Sequence, residues 1–420
     1  AALPRFVVNA PDAVYIGTEV EAKRLIERAR RWDMVGLDTE TTGLDRMRDQ
    51  VVFWSLANDR ERYCLPRAAL WWCQDFLEDD TNVWAVQNCN FDAAMLANAG
   101  IEHVNREGIP VGNRVDPMVL HHLYDDAALH HGLDHIGQTM LGVGKWSSYS
   151  ELFGKEPITN IRPGHGKFDD MVEYASWDAW LHCLAAKRLK RELQGMESHF
   201  GSMWDYYLEL ESPLHDVLHG MERRGICVDP GMLIPFREQA TASLDRIVTQ
   251  LSRVAGRPLN PNSPKQMQKF FYEDLGMPIE EHTSGGASGN RQGSTSEAVL
   301  QSWVERDVIE LTKGHGAKKV VVKRFEIPKL AKDCLGLIME YRKHAKLRGT
   351  YMDGVLARMI PHTQRIHAEF TQSVAATGRL CVAGDTLLET TKGDFQIQNL
   401  DLSKNPKPGV LTHKGRLRPI

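Results

Sequence analysis

No stretch of this sequence approaches the roughly 18 consecutive apolar residues that cross a bilayer, and the opening AALPRFVVNAPD has no apolar core of signal-peptide length. Membrane and secretion readings fall away, leaving a cytoplasmic setting as the expectation. Cysteine is sparse: Cys64, Cys73, Cys89, Cys183, Cys227, Cys334 and Cys381 are scattered with no C-x-x-C pair. Neither a disulfide framework nor a cysteine zinc site is indicated. There is no internal repeat, and a net charge of -4 over 420 residues identifies no partner by itself. What is present is 42% hydrophobic and 25% charged residues, ordinary for a folded chain and enough for two or three packed cores.

The placement of charge says more than its sum. Lys313 to Tyr351 holds eleven Lys/Arg against Glu326, Asp333 and Glu340, a segment of +8 within a chain whose remainder is -12. Such a stretch can track a phosphate backbone. On charge alone, a solvated helix face explains it at least as well.

Thr18-x-x-Glu21 forms a capping box ahead of EAKRLIERARRW, where Ala22, Leu25, Ile26 and Ala29 recur at helical spacing. MVGLD, VVFWSLAN and WAVQN read as strands. FDAAMLANAG reads as a helix stopped by Gly100, followed by helices over DPMVLHHLYDD, HGLDHIGQTMLG and the long segment from Met171 to about Gly195. Alternating strands and helices predict an α/β domain. A second helical stretch, DYYLELESPLHDVLHGMERRG, opens the next region, so the boundary is placed near residue 200. TSGGASGNRQGSTS reads as an exposed loop, and helix resumes from Ile327 to LARM.

Asp38 and Glu40 sit at i and i+2 near a strand end, where alternate side chains share a face and both carboxylates can meet one cation. Asn88 and Asp92 stand at a strand-to-helix turn. Tyr174 and Asp178 are one helical turn apart. Each pair alone is commonplace: solvated acids at a strand end, or an acid favoured by a helix N-terminus. Together, Asp38, Glu40, Asp92 and Asp178 make four carboxylates whose mutual repulsion divalent cations would offset, and oxygen-only ligands favour Mg2+ or Mn2+. Two ions about 4 Å apart are the arrangement of many phosphodiester-cleaving sites, with Tyr174 placed to orient a water. His121, His122, His130 and His131 raise a zinc alternative that adjacent positions on a helix and the lack of a third cluster disfavour. Trp71 and Trp72 have stacking on bases or core packing open to them.

LDTETTGLD, NCNFD and YASWD, in that order, resemble the three exonuclease motifs of the proofreading domain of bacterial DNA polymerase I. The resemblance implies a ribonuclease H-like α/β domain over residues 1–200 that hydrolyses phosphodiesters at DNA 3' ends, in a bacterial or phage-infected cell. It implies that Asp38, Glu40, Asp92 and Asp178 bind two Mg2+ or Mn2+ ions and that Tyr174 positions the nucleophile. Thr41, Leu44, Asn88 and Phe91 would then contact the single-stranded 3' end.

ELESPLHDVLHGMERRGICVD, NPNSPKQMQKFFYEDLGMP, GSTSEAVL, YRKHAKLRGTYMD and RIHAEFTQSVAATGRL resemble the thumb and first palm segment of family A DNA polymerases. This implies a mainly helical thumb over 201–360 and a palm segment over 361–380. Lys346, Arg348 and Arg379 then become candidate contacts to a primer–template duplex. After TGRL the pattern changes: the family's palm Asp residues and fingers helix do not follow, and CVAGDTLLETTKG resembles the first conserved block of an intein. That resemblance implies a small β-rich fragment over 381–420, with the Cys381 thiol attacking the Leu380 carbonyl to form a thioester. With no T-x-x-H block or terminal Asn present, the sequence reads either as one half of a split intein awaiting a C-terminal polymerase/intein partner chain or as a truncated reading frame.

Overall fold

The computed structural model describes residues 10–101, 113–128, 130–283, 292–313 and 320–373, and the backbone of four short strands between 387 and 419. The chain divides into two compact units, Ala1–Gly225 with His367–Ile420, and Ile226–Ile366.

The first unit is built on a mixed sheet of β1 (Ala13–Tyr15), β2 (Val35–Thr41), β3 (Val51–Ala57), β4 (Arg62–Pro66), β5 (Val83–Ala85) and β6 (Asn113–Val115). Their order is β1-β4-β3-β2-β5-β6. β2, β3 and β4 form an antiparallel meander, whereas β5 lies parallel to β2 and β6 parallel to β5. Strand alternation decides what β2 offers each side. Val35 and Leu37 face a core shared with the helix Glu19–Ala29 and with Met95 and Leu96 of the helix Cys89–Asn98. Gly36 faces the long helix Phe168–Gln194, and a Cβ there would lie 2.0 Å from the Ala179 carbonyl oxygen. Glycine therefore lets the long helix lie against the central strand, and Asp38 and Glu40 continue along that same side.

Local signals account for several helix ends. Glu21 N donates to Thr18 Oγ1 at 3.3 Å and Thr18 N to Glu21 Oε2 at 3.1 Å, completing the capping box. Gly100 follows the Cys89–Asn98 helix with φ +82°, a left-handed stop that favours glycine.

The sequence reading puts a boundary near residue 200, whereas the compact units divide after Gly225. The reason lies in what the intervening helices bury. Tyr206, Tyr207, His215, Asp216 and Leu218 are inaccessible, and the helix Ser212–Arg224 packs on the helix Cys89–Asn98 of the first unit. The segment 367–373, expected to open a palm, is tied to the same place: Phe370 N donates to Glu222 Oε1 at 2.7 Å, and Gln372 Nε2 to Glu211 Oε2 at 2.6 Å.

The second unit is mainly helical. The helix Pro230–Ala255 packs along the helix Lys329–Lys346, and their core gathers Leu251, Phe270, Phe271, Trp303, Leu335 and Ile338. It also contains an antiparallel hairpin of Val308–Lys313 with Val320–Glu326, which the sequence reading passes over. The basic segment is thus divided between a hairpin and a helix. Of the Gly/Ser-rich stretch, residues 284–291 lie outside the described residues, as do Arg379 and Cys381. Beyond Cys381, Leu387–Thr390 pairs with Gly393–Gln396 and Gly409–Leu411 with Leu417–Pro419, both antiparallel. Among the described residues, no helix is long and apolar enough to cross a membrane, and the six described cysteines are free.

Candidate active site: carboxylates at the end of the central strand

β2 carries Asp38 and Glu40 toward the long helix, which presents Tyr174 and Asp178 from successive turns. Thr39, pointing the other way, donates its hydroxyl to Asp92 Oδ1 at 2.6 Å. That bond binds the Cys89–Asn98 helix to the strand and turns Asp92 toward the strand end. Two adjoining cavities result. One, of about 400 Å³, is lined by Asp38, Asp92, Asp178, Lys145 and His182 among others. The second, of about 480 Å³, is lined by Glu40, Thr41, Leu44, Tyr149 and Tyr174 among others. Thr39 and Phe91 line both.

The electrostatics follow from packing acids together out of water. Burial, then the charges of Asp92, Glu40 and Asp178, push the Asp38 carboxyl well above its usual range. Burial and Asp178 raise Glu40 to about 8. Burial raises Asp92 to about 7 against the opposing hydrogen bond from Thr39. Tyr174 is likewise raised, chiefly by burial and then by Glu40, Asp178 and Asp38, so its hydroxyl keeps its proton. His182 falls to about 4 through burial; its Nδ1 donates to the Leu37 carbonyl at 2.8 Å, and its Nε2 lies 3.8 Å from Asp38 Oδ1.

A cation that the sequence reading does not single out stands among these acids. Lys145 Nζ lies 2.6 Å from Asp178 Oδ2. Burial works against its charge, yet Asp178, Asp38 and Glu40 hold its pKa above the ordinary lysine value. The loop carrying it is anchored by Lys145 N donating to Asp134 Oδ1 at 3.1 Å and Trp177 Nε1 to the Gly144 carbonyl at 3.1 Å. Clustered oxygen donors, carboxyls whose pKa burial and neighbouring acids push up, and an ammonium drawn onto one of them are the chemistry a divalent-cation site offers. The residues therefore fit Mg2+ or Mn2+ on Asp38, Glu40, Asp92 and Asp178.

The other candidate residues separate by position. Thr41, Leu44 and Phe91 line the second cavity, with Leu44 82% exposed. Asn88 lines neither cavity. It caps its helix in the left-handed region at φ 55°, and its backbone N donates to Asp116 Oδ1 at 3.0 Å. In the second unit, Lys346 joins Arg342 and Lys343 around a cavity of about 650 Å³, while the Arg348 guanidinium turns to Asp353 at 3.3 Å. His121 Nδ1 meets His131 Nδ1 at 2.8 Å and His122 Nδ1 meets His131 Nε2 at 3.4 Å. These are hydrogen-bonding distances between rings rather than a shared ligand set. Trp72 packs against the core, whereas Trp71 is 50% exposed with Arg67 over its ring.

Two family models match the chain: "3'-5' exonuclease" over residues 13–194 and "DNA polymerase family A" over residues 231–387. DNA polymerase I of Pseudomonas aeruginosa is 29% identical over 84% of this chain and 36% of its own length. DNA polymerase I of Rhizobium leguminosarum is 26% identical over 86% of this chain and 34% of its own. This chain thus spans about a third of the length of these curated relatives. The thermostable DNA polymerase I of Thermus thermophilus is 33% identical over 48% of this chain. Among solved structures, the POL domain of Pol1 from M. smegmatis, in complex with DNA primer-template and dNTP, shares the fold. Its TM-score is 0.61 at 19% identity, over 87% of this chain and 54% of that one.

Proposed function

This chain carries a 3'-5' exonuclease domain and part of a family A DNA polymerase domain, and from that premise we propose that it trims unpaired nucleotides from DNA 3' ends as a proofreading hydrolase. The observation that carries the reading is the convergence of Asp38, Asp92 and Asp178 on one cavity, with Glu40 and Tyr174 on its neighbour. The sheet order, with β4-β3-β2-β5-β6 around the carboxylate strand, supports a ribonuclease H-like fold for this unit.

Asp38, Glu40, Asp92 and Asp178 would hold two divalent cations, Mg2+ or Mn2+. Bound there, the ions would supply positive charge for the oxyanion and leaving oxygen of phosphodiester cleavage. Asp38, Glu40 and Asp92, whose carboxyls burial pushes up, must shed their protons before they can serve as ligands. The Tyr174 hydroxyl, protonated throughout, holds the attacking water by hydrogen bonding. Thr41, Leu44 and Phe91 receive the terminal nucleotide in the second cavity, and Asn88 sets the start of the helix that bears Phe91 and Asp92. In the second unit, Lys346 grips the phosphates of a primer–template duplex as point charge, helped by Arg342 and Lys343, with Arg348 as a further contact; Arg379, outside the described residues, remains a candidate contact by its TGRL motif alone. Nucleotidyl transfer would require palm and fingers elements supplied by a C-terminal partner.

A labelled single strand incubated with Mg2+ tests the hydrolase reading. Stepwise shortening from the 3' end is expected, and degradation no faster than by an Asp38→Ala/Glu40→Ala variant overturns it.

A second reading concerns Cys381. The block CVAGDTLLETTKG, whose Leu387–Thr390 pairs antiparallel with Gly393–Gln396, and the strand pair Gly409–Leu411 with Leu417–Pro419 after it support an N-terminal intein fragment, which would make this chain a precursor completed by trans-splicing. Mixing with a candidate C-terminal partner should then yield a longer product that Cys381→Ala abolishes.

A further inference from the structure

Behind the carboxylate cavity, a second group of metal-ligating side chains remains that the exonuclease reading does not use. Cys89 Sγ, a carboxylate oxygen of Asp116 and a ring nitrogen of His215 all lie within 4.8 Å of one another. They come from separate helices of the first unit. Cys89 opens Cys89–Asn98, Asp116 caps Pro117–Tyr124, and His215 stands in the first turn of Ser212–Arg224. They are almost inaccessible, at 1%, 1% and 2% exposure.

We propose that Cys89, Asp116 and His215 form a site for a divalent transition-metal cation of the zinc class, separate from the carboxylate pair of sites. Sulfur, nitrogen and oxygen donors together select a borderline-soft ion, whereas the oxygen-only set at Asp38, Glu40, Asp92 and Asp178 selects a hard one. Three protein ligands with a fourth position for water is a known zinc arrangement. A tetrahedral ion with bonds of about 2.0–2.3 Å keeps its ligand atoms about 3.3–3.7 Å apart. A triangle already inside 4.8 Å needs only small side-chain movements to reach that geometry.

Three further observations point to an ion. His215 Nε2 is buried with no hydrogen-bond partner, a costly state for a polar atom. Asp116 is already oriented: its oxygens accept from the backbone N of Asn88 at 3.0 Å, Cys89 at 3.0 Å and Met118 at 2.8 Å. Charge also balances. One thiolate and one carboxylate neutralise a divalent cation, and the neighbouring Arg114 guanidinium is paired with Asp216. Binding releases the Cys89 thiol proton to solvent, with no oxidant or reductant needed. The ion would clamp the start of the helix that presents Phe91 and Asp92 to the helix Ser212–Arg224, fixing the exonuclease carboxylate from behind.

Co2+ titration of the metal-free full chain tests this. A thiolate-to-cobalt absorption band saturating at one equivalent is expected, unchanged in Asp38→Ala/Glu40→Ala, since oxygen ligands give no sulfur band. Cys89→Ser should abolish the band, and His215→Gln should weaken Co2+ binding by about 10–100-fold or more. If Cys89→Ser does not fold, the wild-type and His215→Gln titrations decide. No sulfur band in folded wild-type protein, or a band indifferent to His215→Gln, overturns the proposal.

Discussion

Lys145 Nζ stands 2.6 Å from Asp178 Oδ2, so one of the four site carboxylates already holds a cation of the chain's own. That pairing makes the site intelligible as a place built for positive charge. Lys145 is its internal counter-ion, and divalent ions bound there would share Asp178 with it or displace it. Replacing Lys145 with Met should lower the metal-free stability by about 1–2 kcal/mol, between the limits for exposed and buried ion pairs. The same change should increase the stabilisation gained from Mn2+. Thermal melts with EDTA and with Mn2+ measure both; a variant indifferent to either condition would show that the ammonium does not act on the cluster.

Stability should depend on pH in a direction opposite to that of ordinary acids. Glu40 at about 8 and Asp92 at about 7 bind protons in the folded protein that their unfolded counterparts have released. Their contribution is complete below the unfolded carboxylate range near pH 4 and is lost as pH rises through about 7 and 8. Metal-free protein should therefore grow less stable from pH 5 to 9, and saturating Mn2+ should flatten the trend. Denaturant titrations across that range supply the measurement.

Gly36→Ala probes the close approach of strand and long helix. Its Cβ would meet the Ala179 carbonyl at 2.0 Å. Because backbone rather than a flexible side chain is in the way, a loss of about 3 kcal/mol or more is expected. The displaced helix carries Asp178 and Tyr174 with it, so nuclease activity should fall further than the folded fraction does. Comparing calorimetric stability with specific activity of the folded fraction separates the two effects.

Tyr174→Phe leaves the ring and removes only the hydroxyl. If that hydroxyl holds the attacking water, kcat should fall about 100-fold, as for loss of one positioned donor, with KM for a labelled single strand nearly unchanged. A change confined to KM would instead assign Tyr174 to nucleotide binding.

The residues legible in the sequence are those whose partnership is local. Asp38 with Glu40 at i and i+2, and Tyr174 with Asp178 at i and i+4, share a side because strand and helix periods place them so. Asp92 needed the order of its motif, since its position depends on a bond from Thr39, fifty-three residues away in sequence. Lys145 left no such trace: it reaches Asp178 from a loop fixed by Asp134 and Trp177, contacts no spacing rule anticipates. The hairpin Val308–Lys313 with Val320–Glu326 was hidden by its lysines and arginines, although VIELTK and VVVKRFE are rich in β-branched residues. The division at Gly225 was unreadable for another reason. Helical periodicity in the Tyr206–Arg224 stretch shows that an apolar face exists, but not which core receives it.

The central claim is that Asp38, Glu40, Asp92 and Asp178 share divalent cations. A crystal of the chain soaked in Mn2+ and measured for anomalous scattering tests it most directly. Two manganese peaks are expected within coordination distance of these four carboxylates, with Lys145 moved from Asp178 or sharing it. Fully occupied manganese elsewhere on the protein and none among these acids would contradict it.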